Sequence, residues 1–141
     1  MKDEIITYAP DPDCRFTGLP LRVEHVDGPT WELVREVTYR TESGKLCTVR
    51  VPFRFDFASV PRRLQWLYPP QGTKGNPYGI AALIHDWLLK HKKIGGRDIT
   101  RKEADDIFLE IMLYLNCRKT LAYTMYSAVR VHGMMPWNQW K

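Results

Sequence analysis

The apolar pattern of this chain changes period near residue 56, and that change constrains the fold more than any other feature. Upstream the pattern repeats every two residues. Leu21 to Val26 alternates apolar and polar side chains. The stretch from Trp31 to Tyr39 puts Trp31, Leu33, Arg35, Val37 and Tyr39 on one face, and Lys45 to Phe53 alternates through Cys47, Val49, Val51 and Phe53. Period two is the signature of half-buried strands. Between the last two stretches lies Glu42-Ser43-Gly44-Lys45, where Gly44 can take the positive φ that a tight hairpin turn needs. A further strand is predicted near Ile5–Tyr8, and Asp11-Pro12-Asp13 and Gly28-Pro29 mark turns.

Downstream the period is helical. Ser59 is placed to cap a short helix from Val60 to Tyr68, with Pro61 in its first turn and Pro69-Pro70 to stop it. Gly72 to Gly75 reads as a polar loop. Ile80, Leu83, Ile84, Trp87 and Leu88 define a second helix, from Ile80 to about His91. Lys92 to Ile99 reads as a basic loop around Gly95-Gly96. Thr100 and Glu103 form a capping box that opens a third helix, to Leu115, with Ala104, Ile107, Phe108, Ile111 and Leu115 inward. Asn116 stops it, and a fourth helix runs from about Lys119 to His132 with Gly133 at its end. The order predicts an α+β fold: a small N-terminal antiparallel β-sheet packed against three to four C-terminal helices. One domain is expected over residues 1–141, with 1–56 β-rich and 57–141 helical.

Composition narrows the class. A chain of 141 residues buries roughly 70% of its unfolded surface, so it needs no disulfides to hold a core. No apolar run approaches the roughly 20 residues of a membrane-spanning helix. Met1-Lys2-Asp3-Glu4 brings acids early, which predicts no secretory signal. Cys14, Cys47 and Cys117 form no CxxC pair and read as reduced thiols. Charge is uneven: residues 1–56 carry 8 basic and 10 acidic side chains, whereas residues 57–141 carry 13 and 6. That basic half suits an anionic partner. Lys90, His91, Lys92 and Lys93, with Arg97, Arg101 and Lys102, cluster around one loop and can meet nucleic-acid phosphates or anionic lipid head groups. The alternative is a solvated helix end, where cations favour the C-terminal dipole. The apolar tail from Met134 to Lys141 docks on its own core or offers an anchor to a partner.

The polar residues in apolar surroundings carry the candidate chemistry. Helix two is apolar except for His85-Asp86 in its middle, and His85 shares a face with Ala81, Ala82 and Leu89. Such a pair is costly unless partnered. Asp105 falls on the stripe of Phe108 and Met112, whereas Asp106 faces out. Asp56, flanked by Phe55 and Phe57, either caps the short helix or turns toward His85. A histidine acts as general base on water when a carboxylate fixes its tautomer, and Asp105 or Asp56 can supply that carboxylate. Asp86 is the candidate ligand for a divalent cation. The competing explanation is a buried network that fixes the sheet against the helices. Two further options stay open: Ser59 as a nucleophile with His85 as its base, and a zinc site of His85 with two aspartates. Antiparallel packing across a loop of about eight residues leaves open whether Asp105 reaches the level of His85.

Three segments together resemble a family of uncharacterised small proteins found in bacteriophages, prophages and bacteria. They are Asp56-Phe57-Ala58-Ser59-Val60-Pro61-Arg62, then Ala81-Ala82 through His85-Asp86-Trp87-Leu88, then Arg101 with Ala104-Asp105 and Phe108. Tyr126 to Arg130 and Gly133 to Trp137 also fit. The resemblance implies a phage or prophage origin, with the protein in the host cytoplasm or the virion and other phage proteins as partners. The His85-Asp86 step followed by Asp105 on the next helix is also similar to phospholipase A2. That likeness implies His85 as base, Asp86 as a Ca2+ ligand and Asp105 as the carboxylate that orients His85. The glycine-rich loop from Gly72 to Gly79 departs from that family's calcium loop, and no disulfide framework exists. Three functional expectations result: a small metal-assisted hydrolase of esters, phospholipids or envelope polymers; a non-enzymatic virion, tail or assembly component; and a protein that binds a host factor or nucleic acid through the basic loop.

Overall fold

A computed structural model of the protein describes residues 3–6, 13–27, 30–55 and 78–133. The expected short helix at Val60–Tyr68, the Ser59 cap, the loop from Gly72 and the tail from Met134 lie outside these residues. The arrangement is α+β, with antiparallel sheets first and helices after.

Among the described residues the strands form three small sheets where one was expected. The first pairs β1 (Asp3–Ile6), β3 (Leu21–Asp27), β4 (Thr30–Leu33) and β7 (Phe53–Phe55) in the order β1-β3-β4-β7. The second has the order β2-β5-β6, from β2 (Phe16–Thr17), β5 (Val37–Arg40) and β6 (Leu46–Val49). The stretch from Trp31 to Tyr39 is therefore two strands in two sheets. The chain changes sheets at Val34–Glu36, and Arg35 ties the corner by donating from Nη2 to the carbonyls of Gly18 (3.0 Å) and Pro20 (2.8 Å). Lys45 to Phe53 divides likewise. Pro52 has no N–H to give a ladder, so the pairing of β6 stops before it and β7 resumes in the other sheet. Val51, expected on the inward face, is exposed. Alternation holds within each short strand: Leu21, Val23, Trp31, Leu33, Val37, Tyr39, Cys47, Val49, Phe53 and Phe55 are buried.

The predicted hairpin turn joins β5 to β6. Thr41 N donates to Lys45 O at 2.8 Å, and Gly44 adopts φ +91°, a backbone state that favours glycine.

Among the described residues three helices follow: α1 (Tyr78–His91), α2 (Arg101–Tyr114) and α3 (Lys119–Gly133). The capping box of α2 is complete: Glu103 N donates to Thr100 Oγ1 at 3.1 Å, and Thr100 N to Glu103 Oε1 at 2.9 Å. Asn116, at φ +63°, follows the helix end as its sequence suggested. The segment from Lys92 to Ile99 is not a loop. It is a hairpin of β8 (Lys93–Ile94) and β9 (Arg97–Asp98), the third sheet. Ile94 and Ile99 are buried and pin it to the body of the protein. Aromatic contacts join sheets to helices: Phe53 meets Trp87 of α1 edge-on at 5.1 Å, and Phe16 approaches Tyr114 of α2 at 6.4 Å. Buried apolar side chains from the sheets and from all three helices form one cluster.

Candidate active site

The middle of α1 is buried almost all round. Ala81, Ala82, Leu83, Ile84 and Leu88 are inaccessible, and so is His85. The two alanines add little bulk on the face His85 shares, and the imidazole lies against the ring of Phe108 on α2, with centroids 4.9 Å apart. His85 Nε2 meets Asp105 Oδ1 at 2.6 Å, and both side chains are fully buried. A carboxylate only accepts, so Nε2 carries the proton and donates it toward Asp105. The question of level is settled by where each residue lies from the hairpin. His85 is six residues before the end of α1, and Asp105 is four after the start of α2. At 1.5 Å per residue these are offsets of about 9 and about 6 Å, close enough for the side chains to meet.

Asp105 has two further donors. Arg101, one turn earlier on α2, approaches with Nε at 3.0 Å from Oδ1 and 3.3 Å from Oδ2. Arg130, from α3, donates from Nη1 to Oδ2 at 2.9 Å. Arg101 also donates from Nη2 to the Val129 carbonyl at 3.2 Å. One buried carboxylate thus links α1, α2 and α3. Gly133 makes room for this: a Cβ there would sit 2.9 Å from Arg101 Nε. A carboxylate removed from water needs such partners, since an unpaired buried charge is strongly destabilising.

His85 and Asp105, two of the predicted site residues, therefore come together. Asp86 is half-buried next along α1. Asp106, expected to face out, is partly exposed and accepts from Lys102 Nζ (2.9 Å) and Tyr126 OH (2.6 Å). Lys92 and Lys93 are exposed on the hairpin. Asp56, Ser59 and Arg62 lie outside the described residues. Among the described residues, no group of three or more His, Cys, Asp or Glu side chains is placed to hold a metal ion.

Sequence reasoning missed the roles of Arg101 and Arg130. The spacing of Arg101 and Asp105, one helical turn apart, was a legible signal for an ion pair. Arg130 had none, because it reaches Asp105 only once α3 packs on α2.

A second polar cluster lies elsewhere on α2. Tyr39 donates to Glu110 Oε2, which also accepts from the Glu42 N–H at 3.1 Å. The Arg15 guanidinium stands 3.8 Å from the same carboxylate and over the ring of Tyr114. Burial, reinforced by the bond to Glu110, raises the pKa of Tyr39 well above the usual phenol value. Burial alone pushes the Cys47 thiol up to about 12.

Residues 31–129, more than two thirds of the chain, match a family described as "Protein of unknown function (DUF1353)". The match runs from β4 into α3 and includes His85, Arg101 and Asp105. No curated protein and no solved structure matches the chain.

Proposed function

The chain belongs to the DUF1353 family of proteins of unknown function, and we propose that it is a small hydrolase whose general base is His85. Its substrate class is an ester, with phospholipid as the leading member and an envelope polymer as the other. The observation that carries this reading is the buried 2.6 Å contact between His85 Nε2 and Asp105 Oδ1. With Nε2–H committed to Asp105, Nδ1 is the ring atom that would take a proton from water, and because Nδ1 is buried the step requires a conformation that admits water and ester to it. The resulting hydroxide equivalent adds to the ester carbonyl carbon. Collapse of the tetrahedral intermediate breaks the bond to the alkoxy oxygen, which receives the proton from Nδ1. Asp105 stabilises the transient imidazolium, and Arg101 and Arg130 hold Asp105 in place. Both arginines act through Asp105, so they are positioning residues.

Calcium enters this proposal only as an ion that Asp86 would help to hold. The described side chains do not make a cage for it, and the steps above use none. Phage or prophage origin is likewise proposed, on the likeness of the three sequence segments.

A second reading has its own support. His85 is wholly inaccessible, and its carboxylate partner is tied to two arginines. Those features suit a structural network in a non-enzymatic phage component. One experiment separates the two. Fatty-acid release from phospholipid vesicles is measured for the parent and for His85→Ala, with calcium and with EDTA, and both melting temperatures are recorded. Hydrolysis predicts turnover by the parent and loss of it in the variant at temperatures where the variant is still folded. The structural network predicts no turnover by either, and a loss of about 3 kcal/mol, on the order of 10 °C in Tm, because Asp105 loses a buried partner. Dependence on calcium would assign the ion; equal rates in EDTA would remove it.

A further inference from the structure

The β8–β9 hairpin gathers cations at the end of α1. Lys90, Lys92, Lys93 and Arg97 are all exposed, as is His91, and residues 90–97 contain no acid. Asp98, at 3.6 Å from Lys93, is the one carboxylate on the hairpin. The helix dipole accounts for cations in the last turn of α1, which Lys90 and His91 occupy, but its effect fades beyond that turn. It does not account for Lys93 and Arg97.

The hairpin is also held in place. Lys92 N donates to Leu88 O at 2.7 Å and Ile99 N to Lys92 O at 3.1 Å, and β8 and β9 pair through Ile94 and Arg97. Buried Ile94 and Ile99 fasten the base, while Gly95 and Gly96 leave the tip without side chains. The α2 acids point their charge elsewhere: Glu103 into its cap, Asp106 to Lys102 and Tyr126, and Glu110 to Tyr39 and Glu42.

From this placement we infer that the β8–β9 hairpin, with the last turn of α1, is a docking surface for an anionic lipid bilayer. The choice of lipid rests on the proposed phospholipid hydrolysis and on the hairpin's shape. Recognition of bases, as opposed to phosphates alone, needs side chains that reach base edges or stack on bases. Here the tip is bare, and among the described residues the aromatics Phe53, Trp87 and His91 beside the end of α1 are packed on one another. A bilayer surface asks only for several cations presented together. Docking by this hairpin would hold His85, less than two helical turns away along α1, near the lipid surface.

The test is co-sedimentation of the full chain with vesicles of ether-linked phosphatidylcholine, alone or mixed with ether-linked phosphatidylglycerol. Ether lipids contain no ester, so binding is read without turnover. The parent binds only the anionic vesicles, and added salt weakens binding. Each cation near the surface contributes about fivefold in partitioning, so Lys92→Gln/Lys93→Gln/Arg97→Gln weakens it about a hundredfold with an unchanged melt. Arg118→Gln/Lys119→Gln, at the start of α3, retains binding. Equal binding by the hairpin variant, or no preference for anionic lipid, overturns the inference. Tighter binding of the parent to a short DNA duplex, lost in the same variant, overturns it in favour of nucleic acid. Vesicle binding without ester hydrolysis leaves the docking surface standing and removes the hydrolase. Hydrolysis of a dispersed short-chain ester without vesicle binding does the reverse.

Discussion

Asp105 accepts from His85, Arg101 and Arg130, so its removal takes an acceptor from three donors, whereas removal of any one donor leaves the carboxylate with two. Asp105→Asn keeps the shape and deletes the charge. It is expected to destabilise by about 3–5 kcal/mol, the usual result of breaking a buried ion pair from one side. Arg130 keeps about a fifth of its side chain in solvent, so Arg130→Gln costs less, about 1 kcal/mol. Urea midpoints of the two variants and of the double variant check the order, and non-additivity in that cycle measures the coupling. A smaller loss for Asp105→Asn than for Arg130→Gln would mean that Asp105 is not the hub. The inward position of Asp105 was legible in the sequence, because it falls on the stripe of Phe108 and Met112. The inward position of His85 was legible for the same reason. Their meeting was not, since it depends on how far each stands from a hairpin that read as a loop.

At the scale of elements, the local rules held where the signal was local. The Thr100–Glu103 box, the Gly44 turn and the stop at Asn116 each use contacts within a few residues, and each forms as its residues dictate. Thr100→Ala removes the acceptor for Glu103 N and is expected to cost about 1 kcal/mol. Thr100→Asp retains most of the stability, because its carboxylate can cap as well. Chemical denaturation of both variants decides this, and equal losses would mean that the cap contributes little to α2. Strand boundaries were read less well. Alternation cannot tell one strand from two strands in different sheets, since both keep period two. The break at Val34–Glu36 is set by Arg35 reaching the carbonyls of Gly18 and Pro20, a contact across 15 to 17 residues. Likewise, nothing in the Lys92–Ile99 composition revealed that Ile94 and Ile99 would find a core to bury against.

For the whole molecule, burial of groups that are neutral when protonated makes stability depend on alkaline pH. Cys47 ionises near 9 when unfolded and is pushed up to about 12 by burial, and Tyr39 is raised as well. In each case the folded pKa lies above the unfolded one. Their contribution is therefore fully present below about pH 9 and is lost as pH rises toward 12, because the unfolded chain releases protons that the folded chain retains. Each group contributes a slope of at most about 1.4 kcal/mol per pH unit in its window. Urea titrations at pH 8, 9, 10 and 11 should show stability falling, and Cys47→Val, without a thiol proton to lose, should flatten part of that limb. A Cys47→Val curve parallel to the parent would show that the thiol does not contribute.

The sequence by itself determined the α+β order, the alternation within the short strands, the α2 cap, the hairpin turn and the inward position of Asp105. These follow from side-chain period and from contacts a few residues long, which any chain with this pattern makes. Only the tertiary structure decided that the strands divide among three sheets, that the basic segment is a pinned hairpin, and that Asp105 gathers one histidine and two arginines from three helices. Most of the contacts behind those features join residues far apart in the chain. Their pairing is set by the need to satisfy a buried charge and to close a shared core, and neither requirement leaves a mark on local sequence.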